Sequence, residues 1–245
     1  MSPSSLDEPA QERPAPLAGP LPQRYGFAMQ DVFLEHVRPL LKPGVAILDV
    51  GAGRSPMIAP EHRPPGCRYV GLDISEDELR SAAPGAYEHT MAHDITKPLP
   101  VGELFDLVLS WQVLEHVKPL EHALGNLREA LRPGGTMLAQ LSGSFSAFAL
   151  LARVMPHRLR VWAMARYLNH PEEKKFPTHY DHCHSGALER MLASWSSVTV
   201  HPFYRGAGYF AMWRPLQRTY LGYESLIARL DVRNLATHYL VIATR

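Results

Sequence analysis

Cysteine is scarce in this chain: 245 residues carry only Cys67 and Cys183, far apart and without a C-x-x-C pair. That excludes a disulfide framework, leaves a single bridge open, and fits a reducing, cytoplasmic setting. Excess charge is missing too. Lysine and arginine number 25 against 24 acids, a net charge of +1, so composition gives no sign of the basic excess of a nucleic-acid binder. No apolar run approaches the roughly 20 residues of a spanning helix, and the N-terminus lacks a basic-then-apolar signal pattern. Residues 1–24 are instead rich in Pro, Ser and Ala. Such a segment buries too little apolar surface to offset its ordering entropy and reads as a disordered tail. The remaining 25–245 fit one full-sized domain.

What is present is organised around one stretch, Ala46-Ile47-Leu48-Asp49-Val50-Gly51-Ala52-Gly53-Arg54-Ser55-Pro56. The apolar run Val45 to Leu48 reads as a strand buried on both faces. An acid and two glycines one residue apart follow. Glycine adopts backbone angles that other residues resist, and it has no side chain to hold a ligand away. A helix over Gln30 to Leu41, stopped at Pro43-Gly44, leads into this strand.

The same pattern then repeats in outline. Cys67 to Ile74 is a second strand ending in an acid, Asp73, about twenty residues beyond the glycines, the interval at which nucleotide-binding α/β folds place a ribose-binding carboxylate. Ser75 is the expected cap of a short acidic helix. His89 to Ile95 and Phe105 to Ser110 are the third and fourth strands. A helical stretch around Val113 to Val117 and a helix from Pro119 to Leu131 follow, the latter stopped at Arg132-Pro133-Gly134-Gly135. Met137 to Leu141 is the fifth strand. Strands alternating with helices predict a parallel sheet with ligands at the carboxyl ends of its strands.

After Ser142 the alternation breaks. Helices are expected over Phe145 to Met155 and Arg158 to Leu168, then a His- and Tyr-rich loop from Asn169 to His184. A helix from Ser185 to Trp195 and strands Val198 to Tyr204 and Ala236 to Ala243 complete the chain. Arg205 to Asp231 reads as a second irregular insertion. The expected architecture is a Rossmann-like α/β fold: a seven-stranded, mostly parallel sheet with an antiparallel C-terminal edge pair and lid insertions at about 143–184 and 205–231.

In order and spacing these motifs resemble the class I S-adenosylmethionine-dependent methyltransferases, in the broad small-molecule branch. The resemblance rests on Asp49 to Ser55, on Asp73, and on His93-Asp94-Ile95. FDLVLSWQVLEHV from Phe105 and LREALRPGGTMLAQ from Leu127 complete it. It implies S-adenosylmethionine as cofactor. Gly51, Ala52 and Gly53 would line its methionine part, Asp49 would help to fix it, and Asp73 with Ile74 would meet the ribose side. Asp94 and Ile95 would meet the adenine, and Ser110 and Trp111 would sit by the methionine end. The third glycine of the family motif is Ser55 here. A dinucleotide-binding dehydrogenase has a similar turn, but its third glycine is replaced by Pro56 and the later motifs do not belong to that class.

The methyl donor of such an enzyme is already activated, so the remaining work is alignment, exclusion of water and removal of a proton from a hydroxyl acceptor. His116, His179 and His182 are the candidate bases. Gln112-x-x-Glu115-His116 echoes a metal-binding E-x-x-E-H pattern, but its first position is an amide, a poorer ligand for a hard cation. His170, His179, Asp181, His182, Cys183 and His184 invite a zinc reading, yet their spacing matches no closed site; no metal is expected. The expected activity is methyl transfer to a small molecule, with oxygen as the acceptor atom. Transfer to a lipid-linked or glycan acceptor at a membrane surface, and a cofactor-binding module without turnover, stand as alternatives. The oligomeric state is open.

Overall fold

The computed structural model describes residues 22–100, 102, 104–146, 150, 178–211 and 213–245. The expected helices over 145–155 and 158–168, apart from Phe145, Ser146 and Leu150, lie outside the described residues, as does His170.

Seven strands form one sheet: β1 (Ala46–Val50), β2 (Arg68–Asp73), β3 (His89–Ala92), β4 (Phe105–Trp111), β5 (Leu131–Ser142), β6 (Ser197–Phe203) and β7 (His238–Thr244). Their order is β3-β2-β1-β4-β5-β7-β6. The first five pair in parallel. β7 runs antiparallel to both β5 and β6, so β6 again points the same way as the first five. The helices are α1 (Met29–Val37), α2 (Glu76–Arg80), α3 (Leu120–Ala130), α4 (Ser185–Met191) and α5 (Arg214–Arg229).

Alternate strand residues face opposite sides of the sheet, and both sides are covered. Ile47, Leu107, Leu109, Leu138 and Leu240 pack with Phe33 and Val37 of α1. Leu48, Val50, Val108, Ala139 and Leu141 pack on the other side with Leu124 and Leu127 of α3. This two-sided burial is why β1 and β4 read as continuous apolar runs rather than alternating ones.

Several expectations are corrected. β3 stops at Ala92, so Asp94 and Ile95 lie in the turn beyond it. The stretch around Val113 to Val117 forms a single 3-10 turn, Leu114–His116. α3 ends at Ala130, and the Pro-Gly-Gly stop lies within the start of β5, where the pairing with β4 shifts register between Phe105 and Leu107. The largest correction is α5, a 16-residue helix inside the segment read as irregular. Its buried positions are Gln217, Tyr220, Glu224 and Ile227, which have helical spacing. Two of the four are polar, so the apolar periodicity of the helix is half hidden.

Glu224 explains why a charged residue occupies that face. Its side chain is fully buried, and it accepts hydrogen bonds from the Tyr25 hydroxyl, the Gly206 N–H and the Thr237 hydroxyl. Arg24 approaches it at 3.8 Å. One carboxylate therefore ties the segment before α1 to α5, to the loop after β6 and to the start of β7. Glu224→Ala should lower the unfolding free energy by about 3 kcal/mol, since buried donors lose their acceptor; urea denaturation reads this directly, and Glu224→Gln should cost less.

Candidate active site

The site begins at the turn after β1. The N–H groups of Gly51 and Ala52 both donate to the Leu72 carbonyl, at 2.7 and 3.0 Å, which bends the chain over the end of β2. Gly51 has φ of +71°, and a Cβ there would stand 2.1 Å from Val113 Cγ2. Only glycine serves at a position with both constraints. Gly53 has φ of +51° and its N–H donates to Asp73 Oδ2 at 3.0 Å. The nearest atom to a Cβ built there would be that same oxygen, at 3.8 Å, so a side chain would enter the space between loop and acid. Arg54 holds the loop from outside by two bonds to the Glu78 carboxylate, at 2.9 and 3.0 Å.

Beyond this turn lies a cavity of about 580 Å³ at the carboxyl ends of the parallel strands. Of the residues expected at the site, it is bordered by Gly51, Gly53, Asp73, Ile74, Asp94, Ile95, Trp111, His116 and His179. Asp73 Oδ1 also accepts from the Ser75 N–H at 2.8 Å, which orients the carboxylate. Ser75 in turn caps α2 by accepting from the Glu78 N–H. Asp94 Oδ1 accepts from both the N–H and the hydroxyl of Thr96. These bonds favour the charged form and hold the Asp94 carboxyl below the usual carboxylate range.

Four expected residues do not border the cavity. Asp49 is buried and turned away, its Oδ2 accepting from the Met57 N–H at 2.8 Å and the Tyr69 hydroxyl at 2.7 Å. It braces the far limb of the glycine loop, and burial pushes its pKa up to about 6. Ala52 is buried, its carbonyl accepting from the Tyr87 hydroxyl. Ser110 is fully buried on the α3 side of β4. His182 is exposed and pairs with Asp181 at 3.1 Å. Conversely, Glu78, His93, Thr96, Gln112, Val113 and Lys118 border the cavity without having been singled out for the cofactor. Gln112 stands in the sequence three residues before Glu115-His116, but its φ of +54°, a sharp change of direction after β4, is seen only in the structure.

The His-rich loop reaches the cavity through backbone bonds. The N–H groups of His179 and Tyr180 both donate to the Glu115 carbonyl at 2.9 Å. Asp181 Oδ2 accepts from the Leu120 N–H at the start of α3, at 3.0 Å, a cap for one of the free donors of a helix N-terminus. The Cys183 carbonyl accepts from the N–H and hydroxyl of Ser144. Thus His116 and His179, distant in sequence, border one cavity. Beneath them the Glu115 carboxyl is buried, accepts from the Ser142 N–H, and has its pKa raised by that burial. Among the described residues no group of three or more His, Cys, Asp or Glu side chains is placed to hold a metal. A second depression, of about 370 Å³ and bordered by Ser185, Glu189 and Arg233, contains none of the expected residues.

A family model described as a methyltransferase domain matches residues 23–194, more than half of the chain and all of this cavity. The chain belongs to the methyltransferase-domain family. It is similar to the ubiquinone biosynthesis O-methyltransferase of Rhizobium rhizogenes, 34% identical over 122 residues, covering 46% of this chain and 47% of the relative. It is also similar to the ubiquinone biosynthesis O-methyltransferase of Dinoroseobacter shibae, 32% identical over 151 residues, covering 56% and 58%. The chain spans about half the length of the curated relatives it matches. Among solved structures, a SAM-dependent methyltransferase from Archaeoglobus fulgidus superposes with a TM-score of 0.51 at 17% identity, covering 89% of this chain and 95% of that one. An S-adenosylmethionine-dependent methyltransferase from Mesorhizobium loti does so with 0.51 at 21%, covering 86% and 96%. These two likenesses establish the fold.

Asp49 makes the stability of this domain pH-dependent in a stated direction. Its folded pKa lies above the ordinary value of 3.8, so between about pH 4 and 6 the folded state binds more protons than the unfolded one, and this group's contribution falls as pH rises through that window. Asp49→Asn keeps an oxygen for Met57 and Tyr69 but removes the charge. Compared by thermal melting from pH 4 to 8, the variant should gain relative to the natural chain as pH rises.

Proposed function

We propose that this chain is an S-adenosylmethionine-dependent methyltransferase acting on an oxygen of a small molecule. The observation that carries the proposal is the convergence of Asp73, Asp94, the glycine turn and two histidines on one cavity. The ubiquinone biosynthesis O-methyltransferases among its relatives support oxygen as the acceptor atom.

The residues present fit the cofactor. The open space at Gly53 that a side chain would fill lies against Asp73, a carboxylate suited to accept from a pair of ribose hydroxyls. Asp94 offers a charged acceptor for an adenine amino group, and Ile95 an apolar surface for its ring. Gly51 and Trp111 border the methionine end. When bound, S-adenosylmethionine supplies a methyl group on a cationic sulfur, whose C–S bond breaks as the acceptor's C–O bond forms, leaving a neutral thioether. The protein's part is to align that oxygen and exclude water. His116 and His179 are the two groups at the cavity able to take the hydroxyl proton onto an imidazole nitrogen. Asp49, Ser110 and His182 act through the fold rather than by contact. The described end of the 143–184 insertion is clipped to Glu115 and α3, while most of the segment expected as a lid lies outside the described residues; the enzyme works in the cytoplasm.

Calorimetric titration with S-adenosylhomocysteine tests the cofactor assignment: Asp73→Ala should weaken binding at least tenfold, and a well-folded natural chain that fails to bind would overturn the proposal. Labelled S-adenosylmethionine added to a fractionated extract tests the acceptor class. Label should enter the small-metabolite pool, whereas label confined to lipid would move the acceptor to a membrane surface. Substituting His116 and His179 singly by Ala should, for the one that takes the proton, lower kcat roughly 100-fold and remove the acidic limb of its pH profile while leaving S-adenosylhomocysteine affinity intact.

A further inference from the structure

The carboxyl ends of β5 and β6 and the amino end of β7 hold a second group of polar side chains that the cofactor does not use. Gln140 of β5 is 1% exposed. It pairs with Trp111 of β4 on one side and Leu240 of β7 on the other. Like Leu138 and Leu240 it faces α1, on the same side as Trp111, whose ring packs edge-on against Phe33 at 5.3 Å. Among the described residues neither the oxygen nor the nitrogen of the Gln140 amide has a hydrogen-bond partner. Two residues along β7 from Leu240, and so on the same face, His238 is 9% exposed and its Nδ1 also has no partner among the described residues. It lies in register between Ser142 of β5 and Phe203 of β6. Two residues past Phe203, the Arg205 guanidinium lies 4.7 Å from the centre of the Phe27 ring and donates through Nη2 to the Phe27 carbonyl, while its buried Nη1 has no partner among the described residues.

Buried polar atoms are nearly always paired, because each one left alone is costly to the fold. Four such atoms, three on the neighbouring strands β5 and β7 and one in the loop just after β6, point to a ligand. Its charge can be argued. Arg205 and Arg24 both stand near Glu224, whose carboxylate is already taken up by Tyr25, Gly206 and Thr237. Two guanidinium groups against one carboxylate leave a positive charge. Burial and Arg205 hold His238 neutral, with its pKa down at about 4, so it adds hydrogen bonding without charge.

We propose that Gln140, His238 and Arg205 form the recognition site for the methyl acceptor, and that they select a small acceptor bearing a carboxylate. Arg205 takes the carboxylate, Gln140 and His238 meet its other polar groups, and Phe27 and Trp111 supply apolar contact. This rests on the methyltransferase reading above, and deepens it by naming the acceptor class.

The test uses the full chain saturated with S-adenosylhomocysteine and two probes that differ by one group, 3,4-dihydroxybenzoate and catechol. Calorimetry should give at least tenfold tighter binding of the carboxylate, and Arg205→Gln should erase that difference while leaving S-adenosylhomocysteine affinity unchanged. Gln140→Leu guards against a merely structural role. It removes two unpartnered buried atoms at nearly constant volume, so it should raise Tm and yet weaken 3,4-dihydroxybenzoate severalfold. Equal affinity for the two probes, no binding of either, or a Gln140→Leu variant that binds as well as the natural chain would overturn the proposal. If S-adenosylhomocysteine itself does not bind, the methyltransferase reading fails and this inference falls with it; if it binds and the probes are indistinguishable, only the inference fails.

Discussion

The contact between the glycine turn after β1 and Val113 governs the rest of the cavity. Gly51 lies so close to Val113 that any side chain would overlap it, and so the end of β1 and the turn after β4 are pressed together as one wall. From that wall Gly53 reaches across to Asp73, while the 3-10 turn beyond Val113 presents His116. The two halves of the candidate site, one at Asp73 and one at His116, thus share a single van der Waals contact. A change there would misplace both together.

A second constraint acts through hydrogen bonds. The turn after β4 uses the Glu115 carbonyl to hold the N–H groups of His179 and Tyr180, and α3 uses Asp181 as its cap. The loop needs no regular structure of its own to keep His179 at the cavity. Bonds from exposed backbone donors to fixed elements do what a strand would do elsewhere, at the cost of burying the Glu115 carboxyl beneath them. Buried polar groups recur at this end of the sheet. Glu224 is satisfied and serves the fold; Gln140 and His238 are not, and are better placed to serve a ligand.

Much of this was legible before the fold was known. Strands buried on both faces announce themselves as apolar runs, and Asp73, the acid ending β2, borders the cavity. Asp73 and Asp94 could be named because each follows directly from a strand or its turn. The direction in which Asp49 faces could not be read on that basis. A strand's side chains alternate, and whether the acid at its end faces the ligand or the packed side depends on pairing with β2 and on Tyr69. α5 was missed for a related reason: two of its buried positions are Gln217 and Glu224, and a polar residue buried by partners looks, in sequence, like one facing water.

The sequence alone determined the sheet, the order of its elements and the turn at Gly51, because these follow from local rules: hydrophobic period, strand-ending acids, and the backbone angles only glycine accepts. Tertiary structure decided which of the three candidate histidines border the cavity. His116, His179 and His182 look equivalent along the chain. Two of them border the cavity and one points to solvent, because the loop is held by long-range backbone bonds to Glu115 and α3. Those bonds leave no trace in residue type, since every residue but proline carries the same N–H and C=O groups.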